Sequence, residues 1–484
     1  MRNGVSAGSV TNARKTAVAG DCKVRPGMGL KSWLDRIRAF TPLLMAVCSL
    51  LAGCFFIATT KPGHTPDVWS HVYRISGMTN GDWLAKPVGS RSFLHNTTGN
   101  VGGDVDRAWL DYSWQVFDGY DSSIALPDSI SPSDQGKATV ALPYNNTATN
   151  SPVAYLPQLL VFGFGKLAGL SANATFYAAE VAMLLVFTLC LLMSLSVLPR
   201  WRIAMGLLLL VPVLAFHMRT AFTISADSMT QAIAPLFLCL VFSSLIQPPT
   251  KRRCASTAAV GLLLAMCKFI YAPLVALLLL LPLARKAGRT APENGGRDRF
   301  VPAVSIAGVG ASAAWLLAWM KLNGWYATAP MFVSYDAMLA KKHDLLTRPA
   351  TIAAVLRSIA WSISHGQTNN SSQGGSRALI TVWLGLTLLF ALLLLATAVR
   401  TLGRSELLFC WSSYLLNLLI ILLTYLALWL QYTGSGAVGV LGMQLRYFLP
   451  LVAGWGLCAL TCMQALWDRW RTTGQMPPFS PSHH

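Results

Sequence analysis

The segment TFYAAEVAMLLVFTLCLLMSLSVL, residues 175–198, decides the fold. It is long enough to cross a hydrocarbon core of ~30 Å as a helix, and it carries one charged side chain, Glu180. Pro199-Arg200-Trp201-Arg202 follows at once. A helix-length apolar run that ends in basic residues is typical of a membrane span whose end lies in the cytoplasm. The segment therefore predicts a transmembrane helix.

The composition of the whole chain agrees with this prediction. Of 484 residues, 54% are hydrophobic and 12% are charged, whereas soluble domains carry about 25% charged residues. The net charge of +19 could indicate a nucleic-acid-binding protein. The basic residues instead form short clusters between apolar runs, as in cytoplasmic loops, and no nucleic-acid-binding signature accompanies them. The clusters are Lys251–Arg253, Arg285–Lys286 with Arg289, Arg297 with Arg299, Arg400 with Arg404, and Arg469 with Arg471.

Hydropathy and charge together predict an all-α polytopic membrane protein of about ten transmembrane helices (range 10–12), with both termini in the cytoplasm. Residues 1–40 form a cytoplasmic tail, disordered by composition, and 468–484 form a second cytoplasmic tail. The first span is compatible with an uncleaved signal anchor. The predicted spans are 41–59, 175–198, 202–219, 226–246, 255–267, 271–284, 301–322, 378–400, 406–430 and 446–467.

Two segments depart from this simple pattern. The apolar stretch 255–284 has basic clusters at both ends, so it is interpreted as two short helices that meet near Lys268 without each covering a full core. Segment 153–171 is apolar but contains Pro157 and Lys166. An interfacial helix is favoured over a span there, because a span would move the following basic clusters to the outer side.

This threading leaves two long extracytoplasmic segments, 62–152 and 323–377, within the membrane domain 41–467. The first loop is expected to carry short helices. A chain that only anchors would not need so long a loop, so we expect chemistry or recognition there.

The first candidate site is the stretch Pro66-Asp67-Val68-Trp69-Ser70-His71-Val72-Tyr73-Arg74. In a helix, Asp67, His71 and Arg74 would share one face. A carboxylate beside an imidazole at a membrane surface can act as a general base on a hydroxyl. The alternative is that Asp67 caps a short helix.

Three other positions carry ionisable groups close to predicted helix ends. Arg219 and Asp227 flank the turn between two spans, where they either serve a site or form an ion pair. Lys268 lies in apolar surroundings, where it either meets an anionic phosphate or reaches to the interface. Arg446 opens the last span and is suited to bidentate phosphate binding, with interfacial anchoring beside Tyr447 as the alternative.

With these motifs the chain resembles a family of bacterial multi-pass membrane proteins, domain of unknown function 2142, which is grouped with the GT-C glycosyltransferases. The resemblance covers roughly residues 40–467, and the last motif is the most specific. Five motifs of the family have counterparts in this sequence. P-D-E-x-x-H-x-Y-R is similar to Pro66–Arg74, Y-x-P to Tyr155–Pro157, and S-x-D to Ser225–Asp227. The lysine-aromatic motif is similar to Lys268 with Tyr271, and G-x-Q-x-R-Y-F-x-P is similar to Gly442–Pro450. Val68 stands where the family has an acidic residue, which puts in doubt a mechanism that needs two adjacent carboxylates.

The resemblance implies a GT-C-like bundle and transfer of a sugar from a polyprenyl-phosphate donor to a cell-envelope glycan or lipid acceptor. Transfer would take place on the outer face of the bacterial plasma membrane, with inversion at the anomeric carbon. Asp67 matches the family's base, and His71 is its catalytic neighbour. Arg446, Lys268 and Arg219 are the candidates for donor-phosphate binding. The acceptor or cavity-lining candidates are Asp227, Gln444, Tyr155, Tyr271, Asp104 and Asp106, the last two as reserve bases.

Two other functions stay open at this point: a non-enzymatic flippase or transporter of a lipid-linked sugar, and a subunit of an envelope-assembly complex. No spacing of metal ligands is present in the sequence. No cofactor is predicted with certainty, and a divalent cation, Mg²⁺ or Mn²⁺, stays open. Membrane lipids are expected partners, and nucleic acid is not.

Overall fold

The structure is a computed structural model of the full chain. It describes residues 30–63, 65, 67–88, 101–118, 138–215, 222–247, 250–286, 299–323, 333–365, 376–398 and 401–473. Contacts divide the chain into two units, Met1–Phe40 and Thr41–His484. The second unit contains all the sites discussed below.

The described residues are mostly helical, as predicted, because long apolar runs can satisfy their backbone hydrogen bonds in lipid only within a helix or a closed barrel. The helices are α1 Leu30–Thr59, α2 Val68–Thr79, α3 Arg107–Asp118, α4 Leu156–Leu167, α5 Ala172–Val197, α6 Arg202–Ala215, α7 Ala226–Ile246, α8 Lys251–Cys267, α9 Leu281–Lys286, α10 Phe300–Leu322, α11 Tyr335–Thr347, α12 Pro349–His365, α13 Ser376–Ala398, α14 Arg404–Gln431 and α15 Val452–Thr473. Shorter 3-10 helices cover Pro152–Tyr155, Phe269–Leu280 and Leu445–Leu451.

Six stretches of the described part are long and apolar enough to cross a membrane: Arg36–Thr59, Ala172–Val197, Ala226–Ile246, Phe300–Leu322, Arg404–Gln431 and Arg446–Thr472. The protein is thus an all-α polytopic membrane protein. Each of the ten predicted spans overlaps a described α or 3-10 helix, and residues 216–219 and 399–400 of two of them lie outside the described residues. Shorter apolar helices lie at Arg202–Val211, Phe269–Leu283 and Gly385–Thr397.

The predicted break near Lys268 is present. Helix α8 ends at Cys267, and Lys268 adopts an extended conformation (φ −142°, ψ 116°) before the 3-10 helix Phe269–Leu280 begins. Pro273 lies inside that 3-10 helix and cannot donate a backbone hydrogen bond. The break therefore places a lysine at the junction of two short helices.

Helix α7 lies at the centre of the bundle. All its residues from Ala226 to Leu245 are buried, and it packs against α5, α8, α14 and α15. Its neighbours α5 and α14 leave leucines exposed along one side, as expected for helices that face lipid. A side chain at the beginning of α7 is therefore surrounded by protein.

The first loop contains a feature that the sequence did not predict, a three-stranded antiparallel sheet. Strand β2 (Val101–Asp106) lies between β1 (Lys86–Pro87) and β3 (Thr139–Pro143). A Cβ at Gly102 would lie 1.8 Å from the carbonyl oxygen of Leu142, so only glycine allows this pairing. The sheet packs against α2, which connects the loop to the bundle.

The segment predicted as an interfacial helix is α4, which has 12 residues and is too short to cross a ~30 Å core. One side of α4 exposes Leu156, Leu160, Phe164 and Leu167, whereas Phe162 on the other side is buried. Such two-sidedness is typical of a helix that lies at a membrane surface.

Candidate functional site

Asp67 lies immediately before α2 in a left-handed conformation, with φ 63° and ψ 5°. It occupies the N-cap position, but its side chain makes no capping hydrogen bond, so the interpretation of this carboxylate as a helix cap is wrong. Arg446 Nη2 donates to Asp67 Oδ2 at 2.5 Å, and Asn146 Nδ2 donates to Oδ1 at 3.2 Å. About a third of the side chain, 34%, stays exposed. The carboxylate is therefore oriented by two donors and still open to a third group.

Arg446 connects Asp67 to a second aspartate. Its Nε lies 3.2 Å from Asp227 Oδ2, and Lys268 Nζ binds Asp227 Oδ1. We call Asp67, Asp227, Lys268 and Arg446 the ion cluster. Asp227 and Arg446 are almost completely buried. Removing charges from water is costly unless each has a partner, and here two acids balance two bases.

The ion cluster forms where three helical segments begin or break. Asp227 lies in the first turn of α7, where the helix dipole favours a negative charge, and Ser225 Oγ accepts a hydrogen bond from its backbone N–H at 3.1 Å. Lys268 lies at the break described above, and Arg446 is the second residue of the 3-10 helix that precedes α15. These polar backbone ends explain how charges are accommodated next to apolar helices.

His71 lies behind the ion cluster, in α2. Its Nδ1 is 2.6 Å from the hydroxyl of Tyr155, and its Nε2 is 3.2 Å from Ser225 Oγ. Burial lowers the pKa of His71 to about 4, so the imidazole is neutral at pH 7. Asn150 Nδ2 donates to the Tyr155 oxygen at 3.0 Å, so the phenol joins the imidazole to Asn150. His71 thus supports Ser225, which holds the start of α7.

The other predicted residues of the first loop lie elsewhere. Arg74 is buried and donates to the backbone carbonyls of Asp82 and Trp83, so it holds the loop together. Asp104 binds Lys86, and Asp106 binds Lys166 at 3.1 Å. Both aspartates belong to β2, and neither lines the cavity described next, so their assignment as cavity-lining residues is not supported. Arg219 lies outside the described residues.

An apolar cavity of about 440 Å³ opens beside the ion cluster. Lys268, Tyr271 and Tyr447 line it next to the cluster, and Lys342 of α11 lines it from the second loop. Most of the remaining wall is hydrophobic. Its apolar residues are Phe269, Ile270, Met320, Met338, Leu339, Leu423, Leu426, Ala427, Leu428 and Leu430. We call this space the apolar cavity.

Three predicted site residues take supporting positions. Tyr271 donates its hydroxyl to the backbone carbonyl of Tyr447 at 2.8 Å and so fixes the wall of the cavity. Tyr155 is fully buried against His71 and does not line the cavity. Gln444 immediately precedes the 3-10 helix of Arg446, and its buried Oε1 has no hydrogen-bond partner among the described residues.

Two site residues were not predicted, Asn146 and Asn150. Both line the apolar cavity, and they contact Asp67 and Tyr155 respectively. Trp319 of α10 fixes their turn by donating from Nε1 to the carbonyl of Thr149 at 2.9 Å. In the sequence, N-N-T-A-T-N at 145–150 signals only a turn. The asparagines that lie shortly before the Tyr155 motif are the sequence signal that could have indicated these two residues.

The site offers poor ligands to a divalent cation. Within the described ranges, no group of three or more His, Cys, Asp or Glu side chains is placed to hold a metal ion. Both carboxylates of the ion cluster already bind Arg446, and Lys268 occupies the second oxygen of Asp227. We therefore derive no step through a metal.

The fold and the site together define a multi-pass helical membrane protein with a buried ion cluster beside an apolar cavity. The family model described as "Predicted membrane protein (DUF2142)" matches residues 50–454, and the chain belongs to this family. The predicted resemblance to this family is thereby confirmed, whereas its grouping with the GT-C glycosyltransferases stays a prediction. No curated protein matches the chain, and no solved structure matches it.

Proposed function

We propose that this protein is a membrane glycosyltransferase that takes its sugar from a polyprenyl-phosphate donor. The observation that carries the proposal is the position of one partly exposed carboxylate, Asp67, which accepts a hydrogen bond from Asn146, a residue that lines the apolar cavity together with Lys268. A long hydrocarbon chain suits the apolar walls, a phosphate suits the lysine, and a hydroxyl suits the carboxylate.

The reaction would be one inverting displacement. Asp67 removes the proton from an acceptor hydroxyl while the acceptor oxygen bonds to the anomeric carbon. The bond from that carbon to the phosphate oxygen breaks, and the polyprenyl phosphate leaves with the electron pair. Lys268 stabilises the charge that develops on the phosphate. Arg446 orients Asp67 through its hydrogen bond to Oδ2. His71 contacts Ser225, which precedes α7, and so acts as a positioning residue for the start of that helix.

In this proposal the acceptor is a cell-envelope glycan or lipid, and the site faces the outer side of the bacterial plasma membrane. The donor can be identified by lipid analysis of a strain that lacks the protein. Loss of the transferase should leave a polyprenyl-phosphate sugar accumulated and an envelope polymer under-glycosylated. An unchanged lipid profile would contradict the proposed donor class.

Asp67→Asn is the decisive variant, because asparagine tolerates the left-handed backbone at this position. We expect purified Asp67→Asn to bind the donor and to lose transfer by about 10³-fold, the range of general-base contributions. The matched control is Asp104→Asn, an acid-to-amide change in the same loop away from the cavity. Full transfer by Asp67→Asn would remove Asp67 from the mechanism.

A second assay, of lipid movement across vesicle bilayers, distinguishes the transferase from a transporter. A flippase moves the lipid-linked sugar across vesicle bilayers without forming a product, and it should tolerate Asp67→Asn better than Lys268→Met. Lipid movement that survives Asp67→Asn and is lost in Lys268→Met, with no transfer in either protein, would favour the flippase.

A further inference from the structure

A second cavity, of about 530 Å³, lies at the beginning of α14 and the end of α15. Helix α14 has 28 residues, so at 1.5 Å per residue its two ends are about 40 Å apart. The apolar cavity contacts the other end of this helix, and the two cavities are therefore separate. The lining residues are Arg200, Thr401, Glu406, Thr461, Gln464, Ala465, Asp468, Arg469 and Thr472. We call this space the polar cavity.

The charges around the polar cavity are of both signs. Arg200 and Arg469 supply two positive charges, and Glu406 and Asp468 supply two negative charges. A purely anionic ligand would face two carboxylates, and a purely cationic one would face two guanidinium groups. A ligand with one charge of each sign, carried by neighbouring groups, fits this lining best.

Arg200 is held in place from two sides. It binds Glu406, and its guanidinium lies 4.4 Å from the ring centroid of Trp201. Trp201 has φ 62°, a left-handed conformation that is uncommon for an aromatic residue and persists only when the surroundings impose it. The Nε–H of Arg200 has no hydrogen-bond partner among the described residues. The arginine is thus positioned by Glu406 and Trp201 at the wall of the polar cavity.

The tryptophans of α15 indicate the depth of this cavity. Trp467 and Trp470 are 49% and 41% exposed, and their ring centroids are 5.0 Å apart. Exposed tryptophans concentrate at the level of lipid headgroups because the ring is apolar and its N–H is polar. They share the last turns of α15 with Gln464, Asp468 and Arg469. The cavity therefore opens where headgroups lie.

We propose that the polar cavity binds the headgroup of a glycerophospholipid that carries a phosphodiester and a primary ammonium group. Arg200 and Arg469 face the phosphate oxygens, and Asp468 accepts hydrogen bonds from the ammonium. Phosphatidylethanolamine has this chemistry. Phosphatidylcholine has the same charges but no N–H donor, and phosphatidylglycerol lacks the ammonium.

The test measures the affinity of the full-length purified protein for each of these three lipids by native mass spectrometry from detergent. We expect one phosphatidylethanolamine per protein, bound about tenfold more tightly than phosphatidylcholine, the effect of one charged hydrogen bond. Equal affinity for the two lipids, or tighter binding of phosphatidylglycerol, would overturn the proposal.

Two variants and one control locate the binding. Asp468→Asn should remove the preference for phosphatidylethanolamine over phosphatidylcholine, and Arg469→Gln should weaken both. Arg471→Gln, on the same helix but outside the cavity lining, should behave as the wild type. A preference that persists in Asp468→Asn contradicts the assignment.

Soluble glycerophosphoethanolamine, which keeps the phosphodiester and the ammonium, distinguishes a lipid from its free headgroup. Because the acyl chains remain in the surrounding apolar phase, millimolar glycerophosphoethanolamine should not displace the bound lipid. Stoichiometric displacement would show that the headgroup compound alone is the ligand and would refute the lipid part of the proposal.

Discussion

Two of the sets of ion pairs in the first loop differ in almost every respect. In the ion cluster, Arg446 is 3% exposed and reaches across 379 positions of sequence to Asp67. In the second set, Lys86 Nζ lies 3.0 Å from an Asp82 oxygen and 2.6 Å from an Asp104 oxygen. Lys86 and Asp104 are only 18 positions apart in the sequence. Lys86 and Asp104 are each 45% exposed. We call Asp82, Lys86 and Asp104 the sheet cluster.

The difference in exposure predicts that the fold tolerates the loss of a pair in the sheet cluster but not the loss of one in the ion cluster. Exposed pairs contribute little, because water and salt screen them and long side chains lose freedom. Buried pairs must remain complete, because one missing partner leaves a charge with no solvent. A cluster that is costly to build and joins four separate segments is a better candidate for function than one between neighbouring strands.

The largest expected difference between the two clusters is in stability. Asp227→Asn leaves Lys268 and Arg446 to share one carboxylate, so we expect a loss of about 3–5 kcal/mol in the free energy of unfolding. Reversible unfolding in detergent or a thermal shift measures it. A change no larger than that of Asp104→Asn would show that the ion cluster is not the stabilising element we describe.

The second prediction concerns pH. The pKa of His71 is about 4 in the folded protein and 6.5 in an ordinary histidine, so the unfolded chain binds a proton that the folded protein excludes. The free energy of unfolding therefore falls as the pH is lowered from 6.5 towards 4, by a total of about 3 kcal/mol from this group. Above pH 6.5 His71 is neutral in both states and its stabilising contribution is complete.

Unfolding measured between pH 7 and 4 in wild type and His71→Gln checks this value. The variant should show a shallower pH dependence, by up to one proton, in that window. Identical pH profiles would mean that His71 is not the buried neutral group seen in the structure.

A smaller effect is expected at Tyr155, which connects Asn150 to His71. Tyr155→Phe removes the 2.6 Å hydrogen bond to Nδ1 and the 3.0 Å bond from Asn150. The cost should be about 1–2 kcal/mol, because the buried amide and imidazole lose their partner. Tyr177→Phe, a partly buried tyrosine outside the site, is a suitable control. An equal effect of the two changes would contradict a role for this connection.

The smallest effect belongs to the sheet cluster. Hydrogen bonds to Asp104 and Asp82 raise the pKa of Lys86 to about 12, yet all three groups have access to water. Asp104→Asn should cost less than about 1 kcal/mol, and the cost should fall further in high salt. A large loss of stability that does not depend on salt would show that the fold needs the sheet cluster as much as the ion cluster.

Much of this arrangement could be predicted from the sequence. Hydrophobic length located the six helices that are long and apolar enough to cross a membrane, since lipid leaves the backbone few alternatives to a helix. The motifs around Asp67, Asp227, Lys268 and Arg446 were singled out because charges in or beside apolar runs need partners. That these four residues meet one another could not be read from spacing, because the contacts depend on tertiary packing.

The misses have physical reasons too. Strand β2 is buried on both faces, so V-G-G-D-V-D shows no alternation of apolar and polar residues that would predict a strand. The catalytic role predicted for His71 stays a prediction, and what the sequence did not show is that its ring is buried between two hydrogen-bond partners. Its partners come from positions 155 and 225, far outside any local pattern.

The distance in sequence between Asp67 and Arg446 also matters for biosynthesis. A ribosome that adds about 5–20 residues per second needs roughly 20 to 80 s to travel from one to the other. Throughout that time Asp67 has already been made, and its guanidinium partner has not. The ion cluster is therefore completed only after Arg446 has been made, and until then the Asp67 carboxylate lacks the cation that orients it in the folded protein.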